Sequence, residues 1–371
     1  MKGRLTIFCL FLLPMITMSC SGSAELINTP SFKWTQLPEV PDVHGFAGSF
    51  SGVSNGALIV AGGANFPDGG APWTGSVKVW HDDIFVLENT HGEWINAGKL
   101  PRTLGYGVSV TWRDAVICLG GSNSTGHFSD AFMMRYKNGI IEIENLPSLP
   151  YSVANTSGVI IGDVIYIAGG LRDPASKVTE KNFWSMDLAA DAGKRTWKVL
   201  EPWPGPSRMF AVVGGIEDSF YLFSGTQLID GAREYLKDAY KYGEEKGWTK
   251  LAPLPEPVVA APSPAFAYGK NHLVIYGGDD GKLASQAAVL KDKHPGFSRN
   301  ILTYNTDLNS WNISGQIWTD KKANAESDPK ESLTAPVTTP LVIWNGNIII
   351  PGGEVRPAVR TTQVLQASPV K

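Results

Sequence analysis

The sequence predicts an all-β protein, a β-propeller built from six four-stranded blades. Three observations lead to this prediction: an apolar run ending in two glycines recurs along the chain, a tryptophan often follows the run, and glycine and proline are too abundant for long helices. The chain has 371 residues, including 40 Gly, 25 Pro and 12 Trp. Hydrophobic residues make up 43% of it, which is enough to bury a large core.

The repeat is a strand-like apolar run that closes in Gly-Gly, followed by a loop and a second apolar run. Successive second glycines lie 49 to 75 residues apart, and in the fourth unit Ser224 replaces the first glycine. A unit of this length cannot bury its own apolar face, so six units favour a closed propeller. The six runs are ALIVAGG (57–63), AVICLGG (115–121), VIYIAGG (164–170), SFYLFSG (219–225), LVIYGG (273–278) and NIIIPGG (347–353).

This repeat resembles the kelch repeat, in which an apolar strand ending in Gly-Gly is followed by an aromatic pair. Strands of a blade are labelled a to d from the axis outward. Four blades are expected to carry a tryptophan on strand d, and the second blade offers Ile143 there instead. The four tryptophans are Trp94, Trp197, Trp248 and Trp311.

The two ends of the chain are expected to build one blade together. The segments NIIIPGG and TTQVLQAS near the end supply only inner strands for the sixth blade, whereas SFKWTQLPEVP (31–41) carries Trp34 and a Leu-Pro turn. Pairing of residues 31–37 with the last strand would close the ring and leave no open sheet edge. Residues 31–371 are therefore predicted to form a single propeller domain.

The first twenty residues have the layout of a secretory signal, with Lys2 and Arg4 before an apolar run. The run ends in Thr-Met-Ser-Cys, which resembles a bacterial lipobox. We therefore expect a signal peptide over 1–19, a lipidated Cys20 and a tether over 20–30; cleavage near Ala24 without lipidation is the alternative. No later segment is apolar enough to span a bilayer, so membrane contact is expected only through the lipid.

The charge pattern and the cysteine content disfavour a nucleic-acid-binding protein and a disulfide-stabilised protein, respectively. The net charge is −3 and the basic residues are scattered, which disfavours a nucleic-acid partner. Cys9 lies in the signal and Cys118 in a strand-like run, so the mature chain has no pair for an internal disulfide. Packing must supply its stability.

One face of the propeller is predicted to be functional. In an antiparallel blade the b–c loops and the d-to-a connections lie on the same face, and the long insertions 64–82 and 279–300 are both b–c loops. They could wall a pocket at this mouth. Its rim is expected to receive Asn65, Ser122, Arg172, Asp279 and Glu354 after the diglycines, and His44, Phe46, Arg102, Tyr106 and Arg208 from the connections. Of these, Asn65, Tyr106, Arg172 and Arg208 are candidate ligand contacts.

Glu354, Arg356 and Arg360 follow the last diglycine. Guanidinium groups present paired donors that fit a carboxylate, so the two arginines suit an anionic ligand, although salt bridges with nearby acids are the alternative for Arg356. Arg208 begins an inner strand, where a charge needs a partner or a ligand. His-Asp-Asp at 81–83 has no second histidine cluster, so no metal site is predicted.

The stretches GFAGSFSGVSNGALIVAGGANFP (45–67), GYGVSV (105–110) and GGEVRPAVR (352–360) together resemble the kelch-type sialic acid mutarotases, the N-acetylneuraminate epimerases of the bacterial periplasm. The resemblance covers nearly the whole mature chain. It implies a six-bladed propeller that interconverts the α and β anomers of N-acetylneuraminic acid. The glutamate-bearing blade is last here instead of mid-chain, so the chain resembles a cyclically permuted branch of the family.

In the family the proposed base is a glutamate after a diglycine-type turn, with an arginine six residues on, and Glu354 and Arg360 match this pattern. The resemblance therefore implies that Glu354 is the general base and that Arg360 acts beside it. We expect Arg360 and Arg208 to hold the substrate carboxylate, and the reaction needs no cofactor. The acid is left open between Tyr106, His44 and an ordered water. Arg356 has no family role.

The resemblance also implies a periplasmic protein that acts on a small acidic sugar, and the lipobox-like leader adds the expectation of a lipid anchor to the outer membrane of a Gram-negative bacterium. The alternatives are a mutarotase for another acidic sugar and a non-catalytic kelch lipoprotein that binds carbohydrate or protein. A copper oxidase is disfavoured because Cys118 lies inside a strand.

Overall fold

A computed structural model of the chain describes residues 30–322 and 332–370. These residues form six four-stranded antiparallel sheets arranged as a β-propeller, which confirms the predicted fold class. The a strands of neighbouring blades contact one another around the axis. The predicted signal peptide and Cys20 lie outside the described residues.

The blades follow one another in chain order, and each contains strands a, b, c and d in that spatial order. The a strands are Phe50–Ser54, Val108–Trp112, Ser157–Ile161, Val212–Ile216, Phe266–Tyr268 and Val342–Trp344. The b strands are Ala57–Ala61, Ala115–Leu119, Val164–Ala168, Ser219–Phe223, His272–Gly278 and Asn347–Pro351. The c strands are Asp83–Leu87, Ala131–Lys137, Phe183–Asp187, Ala239–Gly243, Ser298–Asn305 and Val364–Pro369. The d strands are Ile95–Lys99, Ile140–Asn145, Lys198–Val199, Gly247–Lys250, Ser310–Gln316 and, for blade 6, Phe32–Leu37.

Short ribbons and helical turns occupy the connections. Within the described residues no helix has the length and apolar character needed to cross a membrane. The b–c ribbons pair Ala64–Asn65 with Val79–Trp80, Ser122–Asn123 with Gly126–His127, Thr226–Ile229 with Ala232–Tyr235, and Glu354–Arg356 with Val359–Arg360. The 3₁₀ turns are Pro72–Thr74, Ala192–Lys194, Ala284–Gln286 and Lys291–Lys293, and the one described α-helix is Ala287–Leu290.

The first described strand closes blade 6, as predicted. Phe32–Leu37 pairs antiparallel with Val364–Pro369 along its whole length. The Trp34 ring packs edge-on against Tyr276 of the neighbouring blade, with 5.9 Å between centroids. The ring of blades is therefore closed by strand pairing between the two ends of the chain, which removes an exposed edge.

Removing this strand should destabilise the whole propeller. A chain that starts at residue 38 should unfold at lower temperature and aggregate, because strand c of blade 6 then becomes an exposed edge. Thermal unfolding by circular dichroism measures the effect, with a chain that starts at residue 30 as the control. Equal unfolding midpoints for the two chains would show that the closure contributes no stability.

The recurring tryptophans join neighbouring blades. Trp248 and Trp311 lie on strand d as predicted, whereas Trp94 and Trp197 lie one residue before it. In each case the indole N–H reaches back to a carbonyl just beyond strand d of the preceding blade. These bonds run from Trp94 to Pro38 at 2.9 Å, Trp197 to Pro147 at 2.8 Å, Trp248 to Glu201 at 2.7 Å and Trp311 to Ala252 at 3.0 Å.

The diglycines allow the backbones of adjacent blades to touch. In blades 1, 2, 3 and 6 the second glycine donates its N–H to the connection that enters the next blade, as Gly170 does to Arg208 at 2.8 Å. A Cβ atom added at Gly169 would lie 2.3 Å from the Arg208 carbonyl oxygen, and its φ of +71° is left-handed. Glycine suits such a position best, which explains why it recurs there, although Ser224 occupies the equivalent place in blade 4 with φ of +54°.

A ring of backbone hydrogen bonds surrounds the axis at the mouth. One residue just before strand a of each blade has φ between +53° and +67° and donates its N–H to the equivalent carbonyl of the preceding blade, at 2.7 to 2.9 Å. The ring therefore forms a rigid floor for anything above it. Its members are Gly48, Tyr106, Asn155, Phe210, Ala260 and Thr338.

Candidate active site

A cavity of about 750 Å³ opens on this ring, at the face predicted to be functional. It brings together Glu354, Arg360 and Tyr106, three of the residues singled out from the sequence. Both long insertions wall it, through Phe66 and Lys78 on one side and Asp279 and His294 on the other. The remaining polar lining includes Arg233 and Tyr235 from the ribbon of blade 4.

Glu354 and Arg360 face each other across the ribbon of blade 6. They are directly paired in its register, and 3.5 Å separates Glu354 Oε2 from Arg360 Nη1. The other carboxylate oxygen, Oε1, accepts the Ala358 N–H at 3.0 Å. The Arg360 side chain is only 5% exposed, whereas Glu354 is 20% exposed and so remains accessible from the cavity. The ribbon thus presents a carboxylate that is fixed by a buried cation.

Arg360 is held between blades 6, 1 and 2. Its Nε donates to the Ala64 carbonyl at 3.4 Å, its Nη2 donates to the Tyr106 hydroxyl at 3.3 Å, and its guanidinium lies 5.0 Å from the Phe66 ring centroid. Burial lowers the pKa of Arg360, but the Glu354 charge and Tyr106 outweigh it, so the net shift is upward. Arg360 therefore stays cationic. Its buried Nη1 makes no hydrogen bond to the described residues.

Tyr106 lies at the floor of the cavity as a member of the backbone ring. Lys78 Nζ stands 4.9 Å from the centroid of the Tyr106 ring and 5.0 Å from that of Trp80. Lys78 comes from the first insertion and was not predicted as a site residue. A lysine in a long polar loop has no sequence signal that separates it from surface lysines, so only the fold reveals its position.

The opposite wall is built by the second insertion and blade 4. The Tyr235 hydroxyl donates to Asp279 Oδ2 at 2.6 Å. His294 is buried, and its Nδ1 accepts the Gly296 N–H at 3.2 Å, so its neutral ring carries the proton on Nε2. Burial lowers the pKa of His294, which is partly countered by Asp279, and the imidazole is therefore neutral at pH 7. Of these residues, only Asp279 was expected from the sequence to lie at the rim of the mouth.

Arg356 points away from the cavity. Its Nη1 donates to the Asp292 carbonyl, and its Nη2 lies 3.8 Å from the Asp292 carboxylate. It lines a separate pocket of about 70 Å³ behind the second insertion. This position fits the salt-bridge alternative better than a ligand contact. Arg356 ties the insertion 279–300 to the ribbon that carries Glu354.

Arg356→Met should loosen the second insertion. We expect faster amide hydrogen exchange over residues 284–293, because the ion pair and hydrogen bond to Asp292 are lost, with strand Ser298–Asn305 unaffected. Hydrogen-exchange mass spectrometry measures this. Lys293→Met, which removes an exposed charge from the same pocket, is the matched control. Unchanged protection of the insertion in Arg356→Met would refute the tethering role.

Arg208 lies outside the cavity, contrary to the expectation that it holds a ligand. Its side chain is fully buried, and Nη1 and Nη2 donate to the two carboxylate oxygens of Asp238 at 2.9 and 2.8 Å. Nη1 also donates to the Ser224 carbonyl at 2.7 Å, and the guanidinium carbon lies 5.4 Å from the Trp203 ring centroid and 5.5 Å from that of Tyr240. The partner that a charge on an inner strand requires is therefore Asp238, and Arg208 is structural.

Asn65, Arg172 and His44 also fall outside the cavity lining. Buried Asn65 donates to Asp42 at 3.1 Å and contacts His81 Nε2 through its Oδ1 at 2.8 Å. Arg172 is exposed and lies over the Tyr151 ring at 4.2 Å. His44 Nε2 lies 2.7 Å from the carbonyl of Pro67. These positions do not fit the predicted ligand contacts of Asn65 and Arg172 or the acid role considered for His44.

Comparisons with known proteins show which family the chain belongs to. A family model described as N-acetylneuraminate epimerase matches residues 19–143 and 146–369. The N-acetylneuraminate epimerase of Salmonella enteritidis PT4 is 43% identical over 105 residues, which cover 25% of this chain and 27% of the relative. That of Haemophilus influenzae is 36% identical over 107 residues, covering 25% and 28%. The matched part thus spans about a quarter of the curated relatives, whereas the family model spans nearly the whole chain. The chain belongs to the N-acetylneuraminate epimerase family.

Proposed function

We propose that the protein is a mutarotase that interconverts the α and β anomers of N-acetylneuraminic acid. The observation that carries this proposal is the Glu354–Arg360 pair on the wall of a large cavity. Family membership and the names of the relatives support the same reaction. A cavity of about 750 Å³ lies within the range of small-molecule sites and can hold a nine-carbon sugar acid.

The reaction requires one base and one acid. N-acetylneuraminic acid is a 2-keto acid closed into a hemiketal, so anomer exchange removes the proton of the anomeric hydroxyl and protonates the ring oxygen. The ring opens, the keto-acid end rotates and the ring closes again. Glu354 is the accessible carboxylate of the ribbon and acts as the general base.

Cations at the cavity hold the substrate carboxylate. Arg360 lines the cavity as a cation, and we assign the substrate carboxylate to its guanidinium group, whose Nη1 makes no hydrogen bond to the described residues. Lys78 supplies a second positive charge beside Tyr106. Fixing the carboxylate there sets the anomeric carbon against Glu354 and reduces the entropic cost of reaching the reactive geometry.

A panel of sugars in an NMR exchange assay tests the substrate. We expect faster anomer exchange for N-acetylneuraminate than for its methyl ester, which keeps the sugar but lacks the negative charge. Faster exchange of another acidic sugar than of N-acetylneuraminate would move the assignment to that sugar. Binding without accelerated exchange of any acidic sugar would instead favour a carbohydrate-binding protein.

We also propose that the chain is secreted and lipidated on Cys20, and that it works in the periplasm at the outer membrane. The supporting feature is the basic and apolar leader ending in Thr-Met-Ser-Cys. Metabolic labelling with palmitate tests this, because Cys20→Ser should abolish the label. Labelling that persists in this variant would contradict the proposal.

A further inference from the structure

Arg360 contacts both the proposed base and a second group that can act as an acid. Its Nη1 lies 3.5 Å from Glu354 Oε2, and its Nη2 lies 3.3 Å from the Tyr106 hydroxyl. Both nitrogens are bonded to one carbon, so a carboxylate oxygen and a phenol oxygen contact the same guanidinium group. In the hemiketal, the anomeric hydroxyl oxygen and the ring oxygen are likewise bonded to one carbon. Glu354 and Tyr106 therefore flank one cation at the cavity, as a base and an acid that serve two oxygens of one carbon require.

The proton of Tyr106 is available to a ligand. The Tyr106 oxygen accepts the Arg360 hydrogen bond, and within the described residues its own proton has no acceptor. Tyr235, the other tyrosine of the cavity, already donates to Asp279 at 2.6 Å. Tyr106 is thus the cavity tyrosine with a free hydroxyl proton.

The surroundings of Tyr106 also stabilise the charge left behind. When the phenol gives up its proton, the phenolate faces the Arg360 guanidinium, and Lys78 stands 4.9 Å from the ring centroid. The neutral imidazole of His294 lacks a second proton to serve in the same role.

We propose that Tyr106 is the proton donor to the ring oxygen of the substrate, an inference that rests on the proposed mutarotase function. In ring opening, Glu354 takes the proton of the anomeric hydroxyl, whose oxygen forms the carbonyl. The bond from the anomeric carbon to the ring oxygen breaks, its electron pair goes to that oxygen, and the oxygen takes the proton of Tyr106. Closure on the other face returns one proton to the phenolate and moves the other from Glu354 to the carbonyl oxygen.

The backbone makes this residue testable by deletion. Tyr106 has φ of +60°, and the equivalent member of the ring in blade 1 is Gly48, with φ of +67°. Glycine tolerates this conformation without strain, so Tyr106→Gly should fold and leave a cavity the size of the missing phenol ring. Tyr106→Phe keeps the ring and removes only the hydroxyl.

The experiment compares these variants with wild type in the NMR exchange assay. Tyr106→Phe should lower kcat by about 10²–10⁴, the usual contribution of a general acid, with substrate affinity changed no more than about threefold. Tyr268→Phe, which alters a tyrosine on strand a of blade 5 outside the cavity, should match wild type. Added phenol should restore activity to Tyr106→Gly, whereas anisole, which has the same ring but no acidic proton, should not.

Three results would overturn the assignment. They are a wild-type kcat in Tyr106→Phe, a loss confined to substrate affinity, and equal rescue of Tyr106→Gly by phenol and anisole. Failure of the proposed function is distinguishable, since wild type itself would then accelerate no anomer exchange. Accelerated exchange in wild type that depends on Glu354 but not on Tyr106 would refute this inference alone.

Discussion

Replacing Glu354 by Gln is expected to lower the catalysed anomer-exchange rate by about 10²–10⁴, the range typical of a general base. The amide has nearly the shape of the carboxylate and can still accept the Ala358 N–H, but it cannot take the proton of the anomeric hydroxyl. Binding should be retained, because the cation of Arg360 then loses its competing carboxylate. Saturation-transfer NMR on N-acetylneuraminate measures the rate.

A matched control for this variant is Glu217→Gln. Glu217 is exposed and lies in the a–b turn of blade 4, on the opposite face of the propeller. It should exchange anomers at the wild-type rate. Glu354→Gln with the same rate as Glu217→Gln would remove Glu354 from the mechanism.

Arg208→Met is expected to lower the free energy of unfolding by about 3–5 kcal/mol, because removing one partner of a buried ion pair leaves the other uncompensated. Asp238 would keep its carboxylate, 18% exposed, without the two guanidinium bonds at 2.8 and 2.9 Å. The Ser224 carbonyl would also lose its donor. Chemical denaturation followed by tryptophan fluorescence gives the change.

Two further variants test whether the unpaired buried charge causes this loss of unfolding free energy. Arg172→Met removes an exposed arginine and should leave the unfolding free energy within about 0.5 kcal/mol of wild type. Combining Arg208→Met with Asp238→Leu should recover part of the loss, because no unpaired charge remains. Arg208→Met with wild-type stability but weakened substrate binding would restore Arg208 as a ligand contact.

The propeller and its closure could be predicted from the sequence because they depend on period and chain order. The diglycine runs recur since each must bring backbone against backbone, as at Gly169. The same topology places Glu354 and Tyr106 on one face without any knowledge of side-chain direction. Pairing of Phe32–Leu37 with the last strand followed from a leftover strand at each end.

Partners distant in sequence could not be predicted in this way. Arg208 meets Asp238, which lies just before strand c of the same blade, and nothing in either segment indicates that pairing. Lys78 and His294 reach the cavity through the paths of two irregular insertions, which no periodicity constrains. The functional face could therefore be predicted from the sequence, whereas the charged side chains that line the cavity could be identified only from the structure.

Saturation-transfer NMR of N-acetylneuraminate with catalytic amounts of wild-type protein tests the proposed mutarotase activity. We expect magnetisation to pass between the α and β anomers faster than in buffer alone, and Glu354→Gln to return the exchange to nearly the uncatalysed rate. Exchange no faster than in buffer, at a protein concentration where binding of the sugar is detected, would contradict it.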